Sequence, residues 1–586
     1  MMFPRRSVRA SFAVAATLVA LTCGAPVQGE SSPQRPDGGG AQPVASKRFM
    51  VVAAHPLAVD AGYAALRGGG TAVDAAIAVQ LVLNLVEPQS SGIGGGAFML
   101  VHDAKRKRLI AYDGRETAPA AARPDRFLDR DGKPLDFFDA VVGGRSVGVP
   151  GTVALLAAAH SQHGKLPWPS LFAPAIRLAQ DGFPVSARLH AALAAERHFT
   201  QPRARAYFYD ADDKPRAAGS RLVNPAFAAT LRMLASGGAH AFYTGASARD
   251  IVDTVATSAV RPGDLALADL ARYQVKVRQP VCGPYRGHRI CGMPLPSSGG
   301  LTVLEMLGML EHYDLRAMEP ASFWSVHFIS EAGRLAYADR AMHMADPDFY
   351  AAPTWLLDPG YLARRAQLIR PDASLGRAEA GSPPLRAGAR RAAYGAYPAL
   401  EFPSTSHISI VDAYGNAVAM TTTIEHAFGS HLLTAGGFLL NNELTDFSFV
   451  PVEDGKPVAN RVEGGKRPRS SMAPTIVYDR GGQVFMVTGS IFGPTIPNQV
   501  VKTLVAVIDW ALDPQAAVAL PNFGSRNGPT ELEKGTSVAA LKPKLEALGH
   551  DTILTDSNGG AQVIVRTKTG WMGGSDPRRD GIARGD

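Results

Sequence analysis

Cysteine is nearly absent from this chain: three residues in 586, one of them, Cys23, inside an apolar N-terminal segment. Two remaining cysteines and no clustered histidines exclude a Cys-rich zinc site. Charge of one sign does not accumulate either. No run of Lys or Arg resembles a nucleic-acid patch, and a formal net charge of +8 is small for this length. Beyond the N-terminus no apolar stretch is long enough to span a membrane. No P-loop, no H-E-x-x-H pair and no internal repeat occur. No metal and no cofactor is therefore expected.

What is present begins with a leader. Arg5, Arg6 and Arg9 precede an apolar run, Ala10 to Leu21, suited to a signal peptide and short for a bilayer span. Small residues follow, so cleavage after Ala25 or Gly29 is expected, and residues 1–29 are assigned to the leader. An uncleaved anchor is the alternative. Lipidation of Cys23 fits poorly, because Ala20 and Thr22 are unusual before a lipidated cysteine. A periplasmic or secreted protein is implied, and losing the three arginines leaves +5 of the +8 charge. Cys282 and Cys291 flank a segment that reads as a β-hairpin. A turn centred between Arg286 and Gly287 would set them opposite each other. An oxidising compartment would favour a disulfide there, the alternative being two unpaired thiols.

The length predicts three or four domains' worth of chain. Helical patterning covers 58–86 and recurs near 150–163, 168–181, 224–236, 300–313 and 322–344. A Gly-rich turn at 90–96 leads into a strand from Ala97. Residues 371–400, rich in Ala, Gly, Arg and Pro, read as a mobile linker. After it the pattern changes. Strands are expected at 405–412, 417–423, 437–441, 473–479, 483–489 and 560–566, with helices near 497–511 and 537–547. The sum is an α+β chain with stacked sheets between helices.

Gly144-Arg145-Ser146-Val147-Gly148 matches a nucleophile elbow, but no clean strand precedes it, so a loop is expected. Thr405 stands in better surroundings, at the start of a strand just after the linker. A threonine hydroxyl is a weak nucleophile and needs a base. If the bond before Thr405 is cut, its new α-amino group, with a pKa of about 8, supplies that base.

Ordered landmarks then run along the chain. They include Ser91-Gly92-Ile93-Gly94-Gly95-Gly96, Arg115-Glu116, Val149-Pro150-Gly151-Thr152, and Pro296-Ser297-Ser298-Gly299-Gly300. Ala336-Tyr337-Ala338-Asp339-Arg340, Thr405-Ser406-His407, Asn441-Asn442-Glu443-Leu444-Thr445-Asp446 and Lys466-Arg467-Pro468-Arg469-Ser470-Ser471 continue the series. With them the chain resembles the γ-glutamyltranspeptidases from about residue 48 to the C-terminus. The resemblance implies a four-layer αββα fold of the N-terminal-nucleophile hydrolases. It implies self-cleavage between Ser404 and Thr405 into a large subunit, 30–404, and a small subunit, 405–586, that stay together. Thr405 would attack glutathione or another γ-glutamyl compound. Water or an amino acceptor would resolve the γ-glutamyl ester. Thr423 matches the second threonine at the nucleophile. Arg115, Ser470 and Ser471 match the groups at the substrate α-carboxylate, and Asp446 the group at its α-ammonium. Paired hydrogen bonds from a guanidinium suit a carboxylate.

Three departures stand out. Glu425 occupies a position where many members have Asn. Together with Glu443 and Asp446 it gives three carboxylates near one ammonium, which predicts either that some carry protons or that the head group sits differently. The stretch between Asp446 and Ser470 is short and lacks a lid tyrosine. The family's Gly-Gly oxyanion turn is here Phe492-Gly493, so Phe492 either strains the turn or forces a different backbone path, the alternative being an allowed conformation in which it points away and leaves the donors in place. Two alternatives follow. One is a glutaryl or cephalosporin acylase of the same family, against which Asp446 argues. The other is an inactive periplasmic binding homologue, which Phe492 favours.

Overall fold

The computed structural model describes residues 42–383, 394–397, 404–556 and 559–586. The leader, and with it Cys23, lies outside the described residues. Two seven-stranded sheets, antiparallel throughout, form the centre. One runs in the order Ile582–Gly585, Met50–Ala53, Ser406–Val411, Ala417–Thr423, Gly96–Asp103, Arg108–Gly114 and Lys276–Arg278. The other runs Val44–Ser46, Gly570–Ser575, Gln562–Thr567, Val484–Gly489, Thr475–Tyr478, His288–Gly292 and Val281–Tyr285.

Alternation along the two central strands explains the layering. Ile408, Ile410, Val418 and Met420 join the core that contains helix Ala72–Val86. Val411, Ala417 and Ala419 point the other way, into a core shared with the second sheet. A strand's successive side chains face opposite sides, so both faces of these strands are buried. Helices Gly299–Leu310, Phe323–His343 and Ile496–Ile508 contribute to the core beyond the second sheet. The layers are helix, sheet, sheet, helix, as expected.

Local differences have local causes. The pattern at 58–86 is two helices, Pro56–Arg67 and Ala72–Val86. Gly68 to Gly70 interrupts it, and Thr71 with Asp74 caps the second helix in a reciprocal box. Residues 437–441 form a loop, not a strand, because Asn441 turns its amide onto the Gly94 and Gly148 carbonyls at 2.8 and 2.9 Å. The expected linker begins later than residue 371. Ser374 and Leu375 donate to the buried Glu331 carboxylate at 2.8 and 2.7 Å, and Gly381 donates to Asp339 at 2.5 Å. Residues 384–393 and 398–403 of that linker lie outside the described residues. Cys282 pairs with Cys291 across the hairpin and the two form a disulfide. Among the described residues no helix is long and apolar enough to cross a membrane.

Candidate active site

Ser406 pairs with Thr422 in the strand register, which brings Thr405 opposite Thr423 at the end of the inter-sheet face. Further along that face, His407 bonds Thr421 at 2.8 Å and Ser409 at 3.1 Å. Burial pushes the His407 imidazole down to about 3. It is a neutral packing group between the sheets, not a base. The Gly-rich turn abuts the other side of Thr423. A Cβ on Gly95 would lie 2.0 Å from the Thr423 carbonyl oxygen, and one on Gly94 2.0 Å from that of Leu439. Only glycine allows this approach.

Hydrogen bonds order the hydroxyls. The Glu425 N–H donates to Thr423 Oγ1 at 2.9 Å, and Thr423 Oγ1 donates to the Ser404 carbonyl at 3.0 Å. Thr405 Oγ1 contacts the same carbonyl and lies 3.5 Å from Thr423 Oγ1. Ser404 Oγ is held by the Gln89 carbonyl, and Ser406 Oγ by Glu87 at 3.0 Å. The bond expected to be cut is thus clamped on both sides, with a donor on its carbonyl.

Arg115 is fully buried. Its guanidinium donates to Glu443, to Asp446, to the Pro468 carbonyl at 3.1 Å and to the Arg469 carbonyl at 2.9 Å. In the continuous chain it is therefore wrapped by protein acceptors. Burial pushes Glu443 well above the carboxylate range and Glu116 to about 8, against the pull of Arg115 on both. Each carboxyl group also bears on the other, and both are shifted toward their protonated forms. The carboxyl groups raised by burial are thus Glu443 and Glu116, the latter not among the three carboxylates named from the sequence. Glu425 is held by Asn442 and by Thr445 at 3.4 Å.

One small cavity joins these groups. It is lined by Thr405, Thr423, Glu425, Arg115, Glu443 and Asp446, and further by Ser404, Ser470, Ser471 and Gly493. Its volume of about 20 Å³ holds roughly one water. Of the residues expected to carry the reaction or bind the substrate, Phe492 alone is not on its wall. Phe492 adopts φ 96° and ψ 50°, and Gly493 φ 53°. The strained alternative is the observed one: the turn keeps a left-handed path that suits glycine. Such a residue carries strain of about 1–3 kcal/mol. Phe492→Gly should recover it, less the greater chain entropy of glycine, for a net gain of about 1 kcal/mol. A higher melting temperature and a higher kcat are expected. A fall in both would show that the phenyl ring supports the turn.

Sequence reasoning passed over Glu116 and Asn441, although both stood inside recognised motifs. Asn441 accepts from the Gly148 and Glu443 amides at 2.9 and 3.0 Å, tying three site loops together. Ser146 lies in a short turn and donates to the Val141 carbonyl at 2.6 Å, so the elbow motif is a loop, as expected.

Stacked antiparallel sheets between helical layers, with a threonine leading a central strand at their end, define the N-terminal-nucleophile hydrolase class. The chain belongs to the γ-glutamyltranspeptidase family, whose model, described as Gamma-glutamyltranspeptidase, matches residues 58–585. It is 36% identical over 552 residues to the Glutathione hydrolase proenzyme of Bacillus subtilis (strain 168), covering 92% of each chain. To the Glutathione hydrolase proenzyme of Escherichia coli (strain K12) it is 36% identical over 553 residues, covering 92% of this chain and 91% of that one. The crystal structure of cephalosporin acylase from Bacillus halodurans superposes with a TM-score of 0.82 at 26% identity, covering 96% of this chain and 99% of that one.

Proposed function

We propose that this protein is an exported glutathione hydrolase and γ-glutamyltransferase that matures by cutting itself between Ser404 and Thr405. The carrying observation is the convergence of Thr405 Oγ1 and Thr423 Oγ1 on the Ser404 carbonyl. Thr405 Oγ1 adds to that carbonyl carbon while Thr423 steadies the developing negative oxygen. The hydroxyl proton passes to the amide nitrogen as the C–N bond breaks, an ester forms on Thr405 Oγ1, and water hydrolyses it. This frees the Thr405 α-amino group as the base for later turnovers. Residues 405–586 become the small subunit, and the chain ending at Ser404 the large one. Departure of the segment before Thr405 opens a cavity that is too small for a glutamyl group in the continuous chain.

In the mature enzyme Arg115, Ser470 and Ser471 hold the substrate α-carboxylate, and Asp446 with Glu425 holds the α-ammonium. Thr405 attacks the γ-amide carbon. Backbone N–H groups at Phe492-Gly493 receive the oxyanion, and the amine leaves with a proton from the Thr405 α-amino group. Water or an amino acceptor then cleaves the γ-glutamyl ester. The disulfide and the leader-like N-terminus support an oxidising compartment outside the cytoplasm.

A glutaryl group lacks the ammonium, and a site with Asp446 and Glu425 discriminates against it. The purified protein should cleave γ-glutamyl-p-nitroanilide at least about 100-fold better, in kcat/KM, than glutaryl-p-nitroanilide. Equal or reversed preference would make it an acylase. Two matured chains with turnover of neither would make it a binding homologue.

A further inference from the structure

Helix Phe323–His343 is buried without a break from Ser325 to Arg340, and it carries charged groups into that burial. Arg340, 3% exposed, is not on the wall of the active-site cavity. Its Nη2 donates to Ser471 Oγ at 2.7 Å and its Nε to Ser298 Oγ at 2.8 Å. Ser298 in turn donates its Oγ and its N–H to the Ser470 carbonyl at 2.6 and 2.8 Å. The Arg340 carbonyl accepts from Arg469 Nη1 at 2.8 Å. Three consecutive residues, Arg469 to Ser471, are therefore fixed by Arg340 and its partner Ser298. Ser470 Oγ accepts from the Met472 N–H at 3.1 Å.

A serine hydroxyl has one proton and two lone pairs, and its rotor has three staggered positions. When a fixed guanidinium takes a lone pair, the rotor is restricted and the hydroxyl acts through its proton. A cationic donor also polarises the O–H and strengthens it as a donor. Ser470 and Ser471 both line the cavity beside Arg115. We infer that Arg340 is a positioning residue of the head-group pocket. It sets Ser471 to donate to the substrate α-carboxylate, and so contributes to selection of substrates that carry one. This rests on the γ-glutamyl reading above. One turn earlier on the same helix, the Tyr337 hydroxyl donates to the Pro494 carbonyl, next to the Phe492-Gly493 turn. The helix thus braces the carboxylate subsite and the oxyanion turn through separate side chains.

The test compares γ-glutamyl-p-nitroanilide with 4-aminobutanoyl-p-nitroanilide, the same group without its α-carboxylate. Arg340→Lys keeps a charge but loses the fork. In matured Arg340→Lys the ratio of kcat/KM between the two anilides should fall about tenfold or more, mainly through KM for the γ-glutamyl substrate. Added to Ser471→Ala, the same change should lower the ratio little further, because both act on one contact. Tyr337→Phe should lower kcat on both anilides in parallel and leave the ratio intact. Should Arg340→Lys fail to mature, Ser298→Ala removes the other end of the fork and is expected to lower the ratio likewise. An unchanged ratio in the variant that matures overturns the role of Arg340 and leaves the γ-glutamyl reading standing. A wild-type enzyme without preference for the γ-glutamyl anilide overturns both.

Discussion

Thr405→Ala is expected to leave the protein as one chain on a denaturing gel, with no measurable turnover of γ-glutamyl-p-nitroanilide. The wild type should run as two fragments, the smaller with the intact mass of residues 405–586. On the proposed mechanism the side chain removed is both the nucleophile of self-cleavage and the nucleophile of catalysis, so the loss is complete rather than graded. Among the described residues the neighbouring side chains are engaged elsewhere, and Thr423 Oγ1 donates to the Ser404 carbonyl oxygen at 3.0 Å. Ser404 Oγ is committed to the Gln89 carbonyl and Ser406 Oγ to Glu87. His407 is a buried neutral ring bonded to Thr421 and Ser409. Thr405→Ser should retain both reactions, because the hydroxyl and the α-amino group are kept. Normal cleavage in Thr405→Ala would sink the assignment of the nucleophile.

Arg115→Ala should lower kcat/KM on the same substrate by roughly 30- to 5000-fold, corresponding to about 2–5 kcal/mol. The range is wide because two losses combine. On the proposed binding mode the substrate carboxylate loses its charged fork, and Glu443 and Asp446 lose the guanidinium that both contact. Without that cation Glu443 is pushed further toward its neutral form, and Asp446 loses the donor that orients it. Asp446 then holds the substrate ammonium less well. Arg115→Lys should recover only part of the loss, since an ammonium restores charge but cannot span Glu443, Asp446 and the Pro468 and Arg469 carbonyls together. Steady-state kinetics on matured variants checks both. An unchanged kcat/KM in Arg115→Ala would place the head group elsewhere.

How far the sequence could be read depended on the range of the interaction involved. Alternation over 405–412 and 417–423 was enough to predict the central hairpin, because strand period is a local property. The hairpin around Cys282 and Cys291 was readable for the same reason, and the structure pairs the two residues directly. The loop at 437–441 was misread as a strand. Its backbone geometry is set by Asn441 reaching Gly94 and Gly148, hundreds of positions away in sequence. The start of the linker was misjudged likewise, since Glu331 and Asp339 hold residues 374–381 from another element.

By itself the sequence determined the nucleophile candidate, the family and the residue types of the head-group pocket. These are carried by short motifs whose chemistry survives without coordinates. Only the tertiary structure decided which charges meet. It buries Glu116 and Glu443 so that both are pushed above the carboxylate range, closes Arg115 around two carboxylates, and sets Phe492 in a left-handed turn. It also brings Arg340 to Ser471 across 131 positions of chain. Protonation and hydroxyl orientation depend on burial and on neighbours within a few ångströms, and those neighbours come from segments that only the packed sheets and helices bring together.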